Sequence, residues 1–267
     1  AEAVRAAHHL ELFCYGNLSP EATLDLADQW RATLPAEPMS AEAAPLPEAT
    51  LLPVQSAAAP LRLACTCANP DESNCGLELH MQLGNSPSVH EVALLLTLAQ
   101  IASRDAFHEL RTVRQLGYVV ACGLRSISRS RGLSVHVQSS VRTPPDLESE
   151  VEDWLVGFRG GALAALTPAA LAEYASAVAA NLEEPPKRLT EEAGPMWSEI
   201  VQRRYRWDYA HRVAAAAREL TVEGLLAFFD RCMAHDAPER RLAVSHAFSP
   251  AARAAADAAG TWGRRHR

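Results

Sequence analysis

The sequence predicts an α+β fold: an antiparallel sheet with helices packed on one side. Two observations predict it. Strand-like runs come as neighbours, at residues 61–66 and 75–83 and again at 118–124 and 133–137, with one helical pattern between the pairs. Four further helical patterns then follow before a last strand at Leu242, Val244 and His246. The resulting order, β-β-α-β-β-α-α-α-α-β, segregates helices from strands as α+β domains do.

The elements follow in order. Residues 7–16 read as a short strand, because Leu10, Leu12 and Cys14 alternate with other residues. Ser19 and Pro20 then supply an N-cap and a first helical residue. That helix is expected to reach residue 34. Residues 35–60 carry six prolines and many alanines with no hydrophobic period, the composition of an interdomain linker. One strand and one helix cannot bury a core, so residues 1–34 are expected to be the C-terminal end of a preceding domain. Residues 61–248 are expected to form a complete domain.

Within that domain, Asn69-Pro70-Asp71 marks a turn between the first two strands. Ser88 and Glu91 form a capping box, and Val89, Val92, Leu95, Leu96 and Ala99 give the stripe of a long helix. Near Gly117 helix gives way to strand. Residues 125–131 are a basic turn, and Leu133, Val135 and Val137 alternate with Ser134, His136 and Gln138. Pro144-Pro145 opens a helix that Gly160-Gly161 should end, and Thr167-Pro168 opens another to residue 182. Further helices are expected at 191–204 and 222–234. Residues 249–267 are alanine-rich, end in Arg264-Arg265-His266-Arg267, and read as a frayed tail.

Composition narrows the function classes. Of 267 residues, 48% are hydrophobic and 21% charged, with a net charge of -7. An acidic balance argues against nucleic-acid binding, and there is no apolar run of spanning length to imply a membrane partner. No basic-then-apolar leader is visible. The six cysteines form neither a disulfide ladder nor a Cys-x-x-Cys pair, which points to a reducing, cytoplasmic location. Ten histidines invite a test for zinc. His8-His9-Leu10-Glu11 has Leu12 where a second ligand is needed, and His90-Glu91 and His108-Glu109 lack a His at the required spacing. None of these is a metal site.

The most informative stretch is Phe107-His108-Glu109-Leu110-Arg111-Thr112-Val113-Arg114-Gln115-Leu116-Gly117-Tyr118. It places Arg111 and Tyr118 at a helix-to-strand seam, with Gly117 to make the bend. A guanidinium and a phenol held there could grip a peptide carbonyl. Local chemistry equally allows a surface arginine and a strand aromatic. Lys187-Arg188, after Glu183-Glu184-Pro185-Pro186, reads as a solvated loop on the same terms.

This stretch resembles the Phe-x-x-Leu-Arg-Thr-x-x-Gln-Leu-Gly-Tyr signature of the insulin-degrading enzyme and nardilysin branch of the pitrilysin-type zinc metallopeptidases. Asn74-Cys75-Gly76-Leu77-Glu78-Leu79, Pro186-Lys187-Arg188-Leu189, Trp197-x-Glu199-Ile200, Tyr205-x-Trp207-Asp208 and Asp236-Ala237-Pro238-Glu239-Arg240 continue the similarity in family order. It covers residues 8–248 and departs at 35–60 and after Phe248. The resemblance implies four homologous α+β domains around a closed chamber, with the zinc site in the first. This chain then corresponds to the end of the third domain and the whole fourth, acting with an N-terminal zinc-bearing half. Zinc belongs to the full-length enzyme and none is bound by this segment. The resemblance implies peptide substrates, catalytic contacts from Arg111 and Tyr118, an aromatic pocket wall at Phe107, and weak polyanion or ATP binding at Lys187 and Arg188. The alternative is a non-catalytic structural or chaperone-like subunit on the same fold. The presence of both Arg111 and Tyr118 favours the peptidase, since a scaffold has no need of them.

Overall fold

The computed structural model describes residues 7–33, 37–40, 43, 50–54 and 59–259. In chain order the elements are β1 (Ala7–His8), α1 (Pro20–Thr33), β2 (Glu37–Pro38), β3 (Leu61–Thr66), β4 (Cys75–Asn85), α2 (Val89–Ala106), a π-helical turn (Phe107–Val113), β5 (Val119–Ile127) and β6 (Ser130–Ser139). After these come α3 (Pro144–Phe158), a second π-helical turn (Arg159–Leu163), α4 (Pro168–Leu182), α5 (Leu189–Val201), α6 (Tyr209–Arg218), α7 (Val222–Cys232), β7 (Leu242–Phe248) and α8 (Pro250–Ala258). They divide into two compact units, Ala1–Glu48 with Glu184–Asp208, and Ala49–Glu183 with Tyr209–Arg267.

The larger unit is built on a five-stranded sheet in the order β3-β7-β4-β6-β5. Alternation decides its two faces. Leu77, Leu79 and Met81 of β4 stand opposite Val137, Val135 and Leu133 of β6, and all six are buried. Helices α2 and α3 pack on this face. Helix α2 starts as expected: Ser88 Oγ accepts from the Glu91 N–H at 3.1 Å, and Glu91 Oε2 accepts from the Ser88 N–H at 3.0 Å. Trp154 and Phe158 of α3 stack at 5.4 Å, and the Trp154 Nε1–H donates to Asp105 at 2.8 Å. Each such fully buried side chain contributes about 1.5–3 kcal/mol. The opposite face carries Glu78, His80, Gln82, Ser134 and His136, while Leu61, Leu63, Val119 and Ile127 on its edge strands stay exposed.

A polar cluster ties the sheet to α3. Arg62 donates to Glu148 from Nε at 3.0 Å and Nη2 at 2.8 Å, and the His246 Nε2–H donates to the other carboxylate oxygen at 2.8 Å. Burial pushes the Glu148 pKa up, but the hydrogen bonds and charges of His246 and Arg62 outweigh it and hold the group at about 2. Burial also pushes the thiols of Cys122 and Cys232 up, to about 12 and about 11, so they stay protonated and inert. All six cysteines are free.

Several expectations need correction. Strand β3 runs parallel to β7, so the sheet is mixed at one edge. Residues 9–16 form no strand. Leu10 and Leu12 are exposed and no described strand lies along them, whereas a strand requires a hydrogen-bonding neighbour. Gly160-Gly161 does not end the helical path, because the backbone continues through them as a π-helical turn to Leu163. Helix α6 was not expected. It buries Val213, Ala214 and Ala217, of which Val213 and Ala217 join Val92 and Val178 in a small cluster. The predicted tail begins as helix α8, where Ser249 Oγ accepts from the Ala252 N–H at 3.2 Å; residues 260–267 lie outside the described residues. Most of the expected linker at 35–60 also lies outside them.

In the smaller unit, β1 and β2 pair in parallel, and α1 buries none of its residues. Phe13 stacks on Tyr15 at 5.9 Å and on Trp197 of α5 at 6.1 Å. Buried Glu199 holds Arg204 in an ion pair, and Tyr205 donates from its hydroxyl to Glu11. Among the described residues, no single helix is long and apolar enough to cross a membrane.

Candidate functional site

The seam after α2 is shaped by a change in helical winding. The π-helical turn Phe107–Val113 is anchored inward by Leu110, which is fully buried. Arg114 then donates to the Glu150 backbone carbonyl at 2.9 Å and its carboxylate at 3.0 Å, pinning the end of the turn to α3. The reversal itself is made by Gln115, which adopts a left-handed conformation at φ 52°. Gly117 has a different role from the bend expected of it. A β-carbon there would lie 1.8 Å from the Gln138 carbonyl oxygen, so only glycine lets the chain pass against β6.

This path brings the three predicted residues together. The Arg111 guanidinium lies 4.8 Å from the centre of the Phe107 ring and 5.1 Å from that of Tyr118. The cation is flanked by two aromatic rings, an arrangement that orients it without consuming its N–H groups. Arg111 makes no ion pair or hydrogen bond with a described residue, and neither does the Tyr118 hydroxyl. Tyr118 is 83% exposed and Phe107 47%. Two hydrogen-bond donors, one charged and one neutral, are thus displayed together on a rigid corner with no internal acceptor. Such a pair suits an extended peptide's carbonyl oxygens.

Lys187 and Arg188 lie in the smaller unit, at the start of α5. Lys187 Nζ is 2.6 Å from Glu184, and Arg188 Nε is 3.9 Å from Glu191. Both cations are exposed, and each has a carboxylate within reach. Among the described residues no three His, Cys, Asp or Glu side chains are placed together to hold a metal ion.

Comparison with known proteins now bears on the site. Residues 97–197 match the family model described as "PQQ synthase PqqF-like, C-terminal lobe domain 4", a span that includes Phe107, Arg111, Tyr118, Lys187 and Arg188. A "Nardilysin-like" protein of Arabidopsis thaliana is 30% identical over 244 residues, covering 90% of this chain and 23% of the relative. "Insulin-degrading enzyme" of Homo sapiens is 30% identical over 240 residues, covering 89% and 23%. This chain therefore spans about a quarter of the length of the curated relatives it matches. Among solved structures, pitrilysin superposes over 87% of this chain with a TM-score of 0.72 at 21% identity. A "peptidase M16 inactive domain" from Pseudomonas fluorescens does so over 88% with a TM-score of 0.62 at 17% identity. Over about nine-tenths of its length the chain is thus similar in sequence to members of the insulin-degrading enzyme and nardilysin branch of pitrilysin-type metallopeptidases, and over residues 97–197 to a C-terminal lobe domain.

Proposed function

We propose that this chain is the substrate-binding C-terminal part of an insulin-degrading-enzyme-like metalloendopeptidase, with Arg111 and Tyr118 gripping the peptide beside the cut bond. The observation that carries this reading is the Phe107–Arg111–Tyr118 stack with both donors unengaged. As a peptide bond is attacked, its carbonyl oxygen gains negative charge. A fixed phenol O–H and guanidinium near that oxygen then favour the transition state over the ground state. The metal belongs to the N-terminal half, and the chain alone is inactive. The reading also places the enzyme in the cytoplasm, where its free cysteines stay reduced. In it Lys187 and Arg188 contribute a weak, salt-sensitive site for polyanions such as ATP, in competition with Glu184 and Glu191.

The test is kinetic and uses the full-length enzyme. Tyr118→Phe removes one donor and should lower kcat by up to about 10²-fold, with little change in KM. Arg111→Ala should harm both constants, because a cation also holds ground-state carbonyls. Wild-type constants in Tyr118→Phe would return Tyr118 to an ordinary exposed aromatic. The structural-subunit reading draws on the inactive domain of the same fold; peptide turnover that falls with Tyr118→Phe would rule it out here.

A further inference from the structure

The sheet face away from the helices is uneven for a reason legible in its register. Across β3, β7 and β4, Leu63 stands beside Ser245 and Ser245 beside Glu78. In the next row Leu61 stands beside Ala243 and Ala243 beside His80. Small side chains on β7 between large ones on both neighbours leave a hollow in the middle of the face. Its volume is about 430 Å³, and its far wall is Arg125 and Ile127 of β5. That size lies within the range of small-ligand pockets, about 300–1,000 Å³.

The lining has a definite chemistry. Leu52, Leu63 and Ile127 supply apolar walls. Glu78 and Arg125 form an ion pair, so the polar side is close to neutral. His80 is 9% exposed and bonds through Nδ1 to Ser134 Oγ at 2.8 Å, while its Nε2 has no hydrogen-bond partner among the described residues. His80 lines the hollow, so this ring nitrogen is available to a polar group of a ligand seated there. The face also already holds an extended peptide. Gln82 Oε1 accepts from the Leu52 N–H at 2.7 Å and Gln82 Nε2 donates to the Thr50 carbonyl at 3.0 Å, while Arg241 donates to the Leu52 carbonyl. Backbone recognition of this kind buries Leu52 and leaves Leu51 exposed.

We infer that this hollow is a side-chain pocket for an aromatic residue of an extended peptide, with tyrosine preferred because its hydroxyl reaches His80 Nε2. The ring lies over Ala243 and Ser245, within the hollow that Leu63 and Ile127 also line. The ligand class rests on the peptidase reading, but the pocket's geometry does not.

The experiment measures binding to the full-length protein of N-acetyl-tyrosinamide, N-acetyl-phenylalaninamide and N-acetyl-alaninamide, read from the Ile127 methyl resonance. Tyrosinamide should shift that methyl and bind at least about tenfold more tightly than alaninamide, from burial of the ring. Ala243→Leu and, separately, Ser245→Leu fill the hollow and should each weaken tyrosinamide about tenfold. His80→Phe should erase the preference for tyrosine over phenylalanine. No Ile127 shift with any amide would overturn the pocket, as would unchanged affinity in both filled variants. Protection of Ile127 from a soluble paramagnetic agent would show the face covered by the rest of the polypeptide or by a second copy, and would overturn it too. Binding is read without turnover. Wild-type kinetics in Tyr118→Phe alongside normal probe binding would sink only the peptidase reading, and the reverse pattern would sink only the pocket.

Discussion

Arg111 and Tyr118 were legible because their chemistry is local: a cation and a phenol separated by one turn and a glycine. The reason for Gly117 was not, because the atom that forbids a side chain there, the Gln138 carbonyl oxygen, arrives from another strand. Nor does sequence reveal that Gln115 takes the left-handed conformation, which glycine or asparagine favours more. Glu148 is the residue whose environment makes the sharpest forecast. Its pKa is lowered in the folded chain to about 2 from an ordinary 4.5. Its stabilisation is therefore complete above the unfolded value and is lost as pH falls from about 4.5 through about 2. Glu148→Gln should remove that acid-dependent part of the unfolding curve and lower stability at neutral pH by about 3 kcal/mol, because Arg62 and His246 lose their anion. Chemical denaturation at stepped pH reads both effects, and parallel pH profiles for variant and parent would show that the cluster contributes nothing.

Elements with a strong period or a complete cap were predictable. Helix α2 has both, with a Ser88–Glu91 box and an apolar stripe of which Val92, Leu95 and Ala99 are buried. Helix α6 has neither, since a run of alanines offers no contrast between faces until Val92 and Val178 define one. The glycines at 160–161 read as a stop on propensity, yet buried Leu163 draws the backbone onward. The parallel pairing of β3 could not be read at all, because alternation specifies a face and not a direction. Helix α8 shows how much a cap can do in an alanine-rich segment. It buries no residue, and Ser249 Oγ caps its first turn. Ser249→Ala should cost about 1 kcal/mol, seen as faster amide exchange confined to Pro250–Ala258. Unchanged exchange there would assign the helix's order to packing on β7.

At the level of the whole molecule, the described residues of the smaller unit expose several large apolar side chains. Leu10, Leu12, Leu18, Leu24 and Trp30 are all exposed, and α1 buries nothing. The alternation at Leu10, Leu12 and Cys14 suggests a strand in the sequence, yet those residues form none. Residues 184–208 complicate the domain boundary. Their place in the chain puts them within residues 61–248, whereas they cluster with the chain's first 48 residues. Nothing in the periodicity of α5 could show this, because an amphipathic helix does not state which core its apolar stripe joins.

The place of β7 has a consequence for how the larger unit is made. This strand comes last of the five in the chain, yet it lies between β3 and β4. As the polypeptide leaves the ribosome, β5 and β6 can pair at once through a tight turn, and β4 can join β6 once α2 is made. β3 must wait for a partner nearly two hundred residues downstream, since Leu61 pairs with Ala243. Closure over so long a loop is slow, and until it occurs β3 and one side of β4 present open edges to other chains. Pulsed hydrogen exchange during refolding should therefore protect the β5–β6 amides early, and those of β3 only together with β7. Early protection of β3 alone would refute this order of assembly.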